Sequence, residues 1–163
     1  MWQYANNLRL LYETPGAGDD PGEATAADRE AAAALLRQVR QSGRALLSEY
    51  ESKRLLACYR IPTVPTEIAA SAPEAVALAD RIGYPVVLKL HSLTITHKTD
   101  VGGVMLNLPD SRAVEDAFGR IRRSVAEKAG EGHFDGVTVQ PMARLDGYEL
   151  ILGCSPDPQF GPV

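Results

Sequence analysis

The residues best suited to chemistry lie in a polar segment between two apolar stretches, at residues 89–104. Lys89 lies near the end of an apolar run. It is followed by hydroxyl side chains, by Lys98, and by the pair Gly102 and Gly103. Hydroxyl groups, two ammonium groups and exposed backbone N–H groups are what a polyphosphate needs. The segment is therefore interpreted as a phosphate site, although a solvated hairpin loop with the two glycines as a β-bulge explains the spacing equally well.

Three histidines occur in the chain, and one of them lies inside this segment. A neutral imidazole at His97 can accept a phosphoryl group as a nucleophile, while the spacing alone favours the simpler role of donating a hydrogen bond. His91 lies two residues beyond Lys89 and so on the same face of a strand, where a structural role is expected. His133 follows a glycine-rich loop and is interpreted as a surface residue.

Two later positions are weaker candidates for ligand binding. Gln140 and Met142 flank a proline after the strand predicted over residues 136–140, and the thioether offers an apolar wall for an adenine ring. A strand end with a core methionine accounts for the same residues. Glu149 interrupts an apolar strand predicted over residues 148–152, so its carboxylate either faces solvent or holds a ligand hydroxyl or cation.

Alternating helices and strands must position these groups. Helices are predicted over residues 23–42, 48–61, 71–83 and 111–129, and strands over residues 63–69, 85–90, 101–108, 136–140 and 148–152. Capping boxes are expected at Ser48 with Glu51 and at Ser71 with Glu74. This order indicates an α/β or α+β layered fold.

Apolar faces are predicted on two of the helices. The second helix carries Leu55, Leu56 and Tyr59 on one face. The long fourth helix carries apolar side chains at helical spacing, which are Val114, Phe118, Ile121 and Val125.

Composition places the chain among ordinary globular proteins. It has 163 residues, 45% hydrophobic residues and a net charge of −4, which argues against coating nucleic acid. Cys58 and Cys154 lie far apart, so a disulfide framework or a zinc site is not expected, and a cytoplasmic location follows. No apolar run has the length of a membrane span, and the N-terminus does not have the pattern of a signal peptide.

Three strings of residues carry a resemblance to a known family. Residues 83–89, then residues 97–104 (His-Lys-Thr-Asp-Val-Gly-Gly-Val) and residues 157–162 resemble the ATP-grasp domain of ADP-forming acyl-CoA (acetate-CoA) ligases. Similar domains occur in bacterial proteins that fuse a CoA-ligase region to a GNAT acetyltransferase. The resemblance implies an interdomain linker at residues 1–22, a helical lead-in at 23–47, and the truncated N-terminal part of an ATP-grasp domain at 48–163.

The resemblance also implies roles for single residues. Lys89 matches a lysine that contacts nucleotide phosphates, and His97 a histidine that relays a phosphoryl group to a CoA-ligase domain. Gly102 and Gly103 match a flexible loop over the phosphates. The implied pocket also includes residues 140–142 beside adenine and Glu149. Two departures are Arg60, where the family usually has glycine, and Leu93, which replaces a common proline and predicts a less rigid loop.

The implied activity is ATP-dependent formation of acyl-CoA with release of ADP and phosphate. The cofactors are ATP or ADP, magnesium held by ligands expected beyond the chain end, and CoA bound through another domain of the same or a partner chain. The chain is therefore expected to be inactive alone. The alternative is a non-catalytic nucleotide-binding or scaffolding module of a protein acetylation regulator, while a carboxylase-type ATP-grasp ligase is disfavoured by the His97 loop.

Overall fold

The computed structural model describes residues 24–143, 146–151, 153 and 155–162. The linker predicted for residues 1–22 lies outside these ranges. The helices are α1 (Ala26–Gln41), α2 (Glu49–Cys58), α3 (Ala72–Ile82) and α4 (Ser111–Lys128), with a 3-10 turn at Glu131–His133. The strands are β1 (Glu67–Ala69), β2 (Val86–Leu90), β3 (Val104–Leu108), β4 (Val137–Pro141), β5 (Pro156–Asp157) and β6 (Gly161–Pro162).

The first four strands form one antiparallel sheet in the order β1-β4-β2-β3, and β5 pairs with β6. One face of the larger sheet packs on α3 and α4 and forms the core. The predicted apolar stripe of α4 is confirmed, because Val114, Phe118, Ile121 and Val125 are all buried. The sheet contributes alternate residues of its two central strands to the same core, namely Val86, Leu88, Leu90, Val137 and Val139.

The opposite face of the sheet is partly polar, and α2 lies over it. Thr138 and Gln140 are buried, and they accept or donate hydrogen bonds with side chains of this face and of α2. The apolar face predicted for α2 is not buried: Leu55 is partly buried, Leu56 is 36% exposed, and Tyr59, which follows the helix, is 46% exposed. Polar contacts from its first two turns attach α2 to the sheet instead.

The predicted capping boxes have different outcomes. At α2 the box is confirmed, since Ser48 accepts from the Glu51 N–H and the Glu51 carboxylate accepts from the Ser48 N–H. At α3 only half of it forms. Ser71 accepts from the Glu74 N–H, but the Glu74 carboxylate accepts from Ala70 N–H at 2.8 Å and so caps one residue earlier.

Three strand predictions need correction. The strand expected from residue 63 begins only at Glu67, since residues 63–66 form no strand. The strand expected from residue 101 begins only at Val104, because residues 98–103 form a turn. The strand expected over residues 148–152 does not form at residues 148–151, while Leu152 lies outside the described ranges. A strand needs a neighbour to pair with its backbone, and none of the described strands pairs with this segment, so Tyr148, Leu150 and Ile151 are 97%, 82% and 93% exposed.

Arg60, which stands where the resemblance predicts a glycine, lies just after the end of α2. Arg60 has a φ of 56°, the left-handed conformation that glycine adopts without steric cost. Within the described ranges, no helix combines the length and the apolar character that crossing a bilayer requires.

Candidate functional site

A cleft of about 500 Å³ lies where β2 ends, between the first turn of α2 and the loop that joins β2 to β3. Three of the residues predicted to do chemistry line it, namely Lys89, His97 and Lys98. Other polar side chains along its wall include Arg44, Glu49 and His91. The leucine and isoleucine side chains that complete the wall are Leu46, Leu47, Leu93 and Ile95.

The two lysines converge on a single carboxylate. Lys89 Nζ lies 2.9 Å from Glu49 Oε1, and Lys98 Nζ lies 2.9 Å from Glu49 Oε2. Forty and 49 residues separate these partners along the chain, so the fold alone brings them together. The cleft thus holds two ammonium groups at a spacing that suits one anion with two oxygens.

Gln140 and Lys53 complete the surroundings of Glu49. Gln140 Nε2 donates to Glu49 Oε1 at 2.7 Å, and Lys53 Nζ lies 3.2 Å from the same oxygen. Lys53 also donates to Thr66 Oγ1 at 2.7 Å and to Gln140 Oε1 at 3.2 Å. Gln140 is 4% exposed, and these hydrogen bonds satisfy both the oxygen and the nitrogen of its buried amide.

The electrostatics of this cluster strongly favour the ionised carboxylate. Burial by itself would raise the pKa of Glu49, but the hydrogen bonds from Lys98, Lys89 and Gln140 hold this pKa far below its usual range. Glu49 is therefore a permanent negative charge near neutral pH. Its position between the lysines is the one that the sequence interpretation gave to phosphate oxygens.

A second ion pair lies beside the first on the wall of the cleft. The Arg44 guanidinium donates two hydrogen bonds to Glu51, at 2.9 Å and 2.6 Å. These bonds lower the pKa of Glu51 to about 2, against a smaller opposing effect of burial, and the Ser48 N–H adds to the lowering. The first turn of α2 thus presents two carboxylates to the basic side chains of the cleft.

The loop that carries His97 is tied down on its N-terminal side. Ser92 is buried, and its hydroxyl accepts from the N–H groups of Thr94 and Ile95 at 3.2 Å and 3.1 Å. Thr94 Oγ1 lies 2.7 Å from His133 Nδ1, so His133 has a contact that the surface interpretation did not anticipate. His97 itself is exposed, which leaves its imidazole accessible from the cleft.

His91 is the second imidazole of the cleft. It is partly buried, and that burial lowers the pKa of its side chain, with Asp135 acting in the opposite direction and Lys98 adding to the lowering. His91 is therefore uncharged near neutral pH. Its backbone pairs with the two residues that precede β4, through His91 N–H to Gly136 O at 2.9 Å and Asp135 N–H to His91 O at 3.1 Å.

The two glycines of the loop have a packing role in the structure. Gly103 N–H donates to Lys98 O at 2.7 Å and closes the turn that carries Lys98. A Cβ at Gly103 would lie 2.8 Å from Leu90 Cβ and 2.8 Å from Lys98 O, and one at Gly102 would lie 2.9 Å from Ser124 Oγ. Neither glycine lines the cleft, so their contact with a nucleotide stays a prediction.

Met142 and Glu149 are not brought to the lysines in the described structure. Met142 N–H donates to Pro85 O at 3.0 Å, at the opposite end of β2 from Lys89. Four residues of strand separate Pro85 from Lys89, about 13 Å at the usual rise. Glu149 is exposed and outside any strand. The assignment of Met142 to a hinge beside adenine and of Glu149 to the nucleotide pocket stays a prediction.

Sequence reasoning missed the residue at the centre of the site. The sequence analysis assigns no role in the site to Glu49 or to Lys53. Their spacing of four residues is a recognised signal for a helical ion pair, and the structure shows that pair. No local signal reveals the contacts of Glu49 with Lys89 and Lys98.

Nucleotide phosphates and magnesium fit the described residues differently. The two lysines and the accessible His97 suit a phosphate chain. In the part of the chain that the structure describes, no three His, Cys, Asp or Glu side chains lie close enough to hold a metal ion.

The sequence matches a known protein family over most of its length. The ATP-grasp domain family matches residues 38–163. The chain is 40% identical, over 83% of its length, to acetate–CoA ligase [ADP-forming] I of Archaeoglobus fulgidus, of which it spans 19%. It is 35% identical, over 78% of its length, to the beta subunit of acetate–CoA ligase [ADP-forming] II of Pyrococcus furiosus, of which it spans 53%.

Solved structures agree with these relatives. Acetyl-coenzyme A synthetase 1 of Ca. Korarchaeum cryptofilum, in complex with coenzyme A and Ca-AMPCP, is 40% identical with a TM-score of 0.75. That match covers 79% of this chain and 56% of that chain. A second structure of the synthetase, with coenzyme A and Mg-AMPPCP, has 37% identity, a TM-score of 0.65 and coverages of 80% and 54%. The chain therefore belongs to the ATP-grasp domain family, and its relatives are ADP-forming acyl-CoA ligases.

Proposed function

We propose that this chain binds the nucleotide of an ADP-forming acyl-CoA ligase and that His97 relays the phosphoryl group. The observation that carries the proposal is the convergence of Lys89 and Lys98 on one anionic group in a cleft that His97 also lines. Two ammonium groups at hydrogen-bond distance from the same anion form a site for phosphate oxygens. The accessible imidazole beside them supplies a nucleophile.

In the proposed step, a ring nitrogen of His97 forms a bond to the γ-phosphorus as the bond to the bridging oxygen breaks. ADP leaves, and the phosphoryl group stays on the imidazole. Lys89 and Lys98 stabilise the negative charge on the phosphate oxygens during this transfer. Magnesium, when bound, neutralises further phosphate charge. The phosphoryl group then passes to a CoA-ligase domain, where an organic acid and CoA become acyl-CoA with release of phosphate.

The comparisons support this proposal in two ways. One Korarchaeum structure with Mg-AMPPCP is described as having its phosphohistidine segment pointing towards the nucleotide-binding site. The Pyrococcus relative is a beta subunit, which is consistent with a CoA-ligase domain on a partner chain. A cytoplasmic location for this chain remains a prediction.

The test is phosphorylation of the complete protein with γ-labelled ATP. We expect acid-labile label on wild-type protein and none on His97→Asn, which keeps a hydrogen-bond donor but has no nucleophilic nitrogen. His91→Asn is the matched comparison, because it changes the other imidazole of the cleft. Label that persists in His97→Asn and disappears in His91→Asn would move the relay to His91.

Nucleotide binding must be measured on the same variants. If His97→Asn binds ATP as wild type does but carries no label, the loss is chemical. If wild-type protein binds ATP and never becomes labelled, the relay is wrong, and the non-catalytic nucleotide-binding module becomes the better description.

A further inference from the structure

Glu49 occupies the position between the lysines that the proposed function gives to phosphate. Its Oε2 accepts from Lys98, and its Oε1 accepts from Lys89 and from Gln140, at distances of 2.9, 2.9 and 2.7 Å. A phosphate oxygen bound to the same ammonium groups would lie next to this carboxylate. Two negative charges at that separation repel strongly in a partly buried site. The lysines therefore cannot serve Glu49 and a phosphate group equally well.

The structure also provides a second partner for Glu49. Lys53 lies one helical turn further along α2, with its Nζ 3.2 Å from Glu49 Oε1, and Gln140 donates to the same oxygen. If Lys89 and Lys98 turn to a phosphate, Glu49 keeps these two donors. The side chain of Glu49 is 23% exposed, so it is not locked in a closed core and solvent reaches it from the cleft.

The charges near Glu49 leave the cluster attractive to anions. Three ammonium groups, those of Lys53, Lys89 and Lys98, surround one carboxylate. These four groups carry a net charge of about +2 when all are ionised. A phosphate chain is therefore drawn to the cluster even while Glu49 is in place, and the neutralised lysines stay ordered while the site is empty.

We infer that Glu49 is an internal competitor of the phosphate chain: its carboxylate holds Lys89 and Lys98 in the empty site and yields them when phosphates enter. The inference rests on the proposed nucleotide site and adds a control of its affinity. It predicts that neutralising Glu49 tightens phosphate binding. A residue that only positions the lysines predicts the opposite, since its loss leaves them disordered.

The experiment is calorimetric titration of the complete protein with tripolyphosphate and, separately, with ATP. We expect Glu49→Gln to bind tripolyphosphate about tenfold more tightly than wild type, within the usual range of coupling between two ligands. Glu67→Gln is the matched control, because it removes one carboxylate that pairs with Arg81 on the surface, away from the cleft. It should leave the affinity unchanged.

Two further variants keep the inference testable if Glu49→Gln does not fold. Glu49→Asp retains the charge on a side chain one methylene shorter, which should weaken its contacts with the two lysines, so it should also tighten binding, by less. In a Lys98→Met background the effect of changing Glu49 should shrink. Unchanged or weaker tripolyphosphate binding in the folded Glu49 variants overturns the inference.

The outcomes separate this inference from the proposed function. If Glu49→Gln gains affinity for tripolyphosphate while ATP binds no better than tripolyphosphate and His97 stays unlabelled, the inference stands and the proposed function is wrong. If ATP binding and His97 labelling are normal but the Glu49 variants gain nothing, the proposed function stands and the inference is wrong.

Discussion

The Leu93 N–H donates a hydrogen bond of 3.0 Å to Asp135 Oδ2, joining the loop after β2 to the residue that precedes Gly136 and β4. A proline, the residue expected at position 93 by resemblance, has no N–H and could not form this bond. Leucine in place of proline at position 93 therefore allows a hydrogen bond that attaches this loop to Asp135. The acceptor lies 42 residues away along the chain, so this hydrogen bond joins two distant segments.

Removal of this acceptor should loosen the loop that leads to His97. We expect Asp135→Ala to lower the free energy of unfolding by about 1 kcal/mol, the usual net value of one hydrogen bond. Amide hydrogen exchange should accelerate at residues 93–97 more than in the core strands. Asp135→Asn retains an acceptor oxygen and serves as the control, with a smaller change expected. Equal exchange rates in wild type and Asp135→Ala would show that this hydrogen bond is dispensable.

The turn around Gly103 should not tolerate a side chain. In Gly103→Ala the new Cβ would lie 2.8 Å from both Leu90 Cβ and Lys98 O, and one of these is backbone. Overpacking of this kind costs about 1–3 kcal/mol of unfolding free energy. Gly132→Ala is the matched control, since no atom lies within 4 Å of its added Cβ. Urea unfolding of both variants measures the difference, and similar losses in the two would contradict a steric role for Gly103.

Local patterns were sufficient to predict most helices and the central strands. The capping box at Ser48 and the apolar stripe of α4 depend on residues three or four positions apart, and both are confirmed. The strand predicted over residues 148–152 failed for a different reason. Alternation of side chains does not supply a pairing partner, and at residues 148–151 no described strand pairs with it.

The candidate site was predicted only in part, because its organising residue acts over long distances in sequence. Lys89, Lys98 and His97 share one segment, and their residue types are consistent with a phosphate site, while their spacing fits a solvated hairpin loop equally well. Glu49 reaches them only through the packing of α2 on the sheet. The apolar face predicted for α2 from Leu55, Leu56 and Tyr59 gives no indication of these contacts.

The pH dependence of stability should have an acid limb that depends on Glu51. Its pKa falls from 4.5 to about 2 in the folded protein, chiefly because Arg44 donates two hydrogen bonds to it. A lowered pKa contributes stability that is complete above pH 4.5 and is lost as the pH falls towards 2. This shift corresponds to about 3 kcal/mol at neutral pH. Glu49, with its pKa lowered further, adds stability of the same sign over the acid range.

Urea unfolding at pH 7, 4.5, 3 and 2 should therefore show a steeper loss of stability in wild type than in Glu51→Gln. The variant should be less stable at pH 7 and approach wild type at the lowest pH, because protonated Glu51 has also lost its charge.

His91 should affect stability at higher pH than Glu51 does. Burial lowers the pKa of His91, so protonation of this side chain is less favourable in the folded state than in the unfolded state. Stability therefore begins to fall as the pH drops below 6.5, the ordinary pKa of histidine. His91→Asn should reduce only the loss of stability between pH 7 and 4.5. If Glu51→Gln loses stability below pH 4.5 as steeply as wild type does, the Glu51–Arg44 pair is not the source of the acid limb.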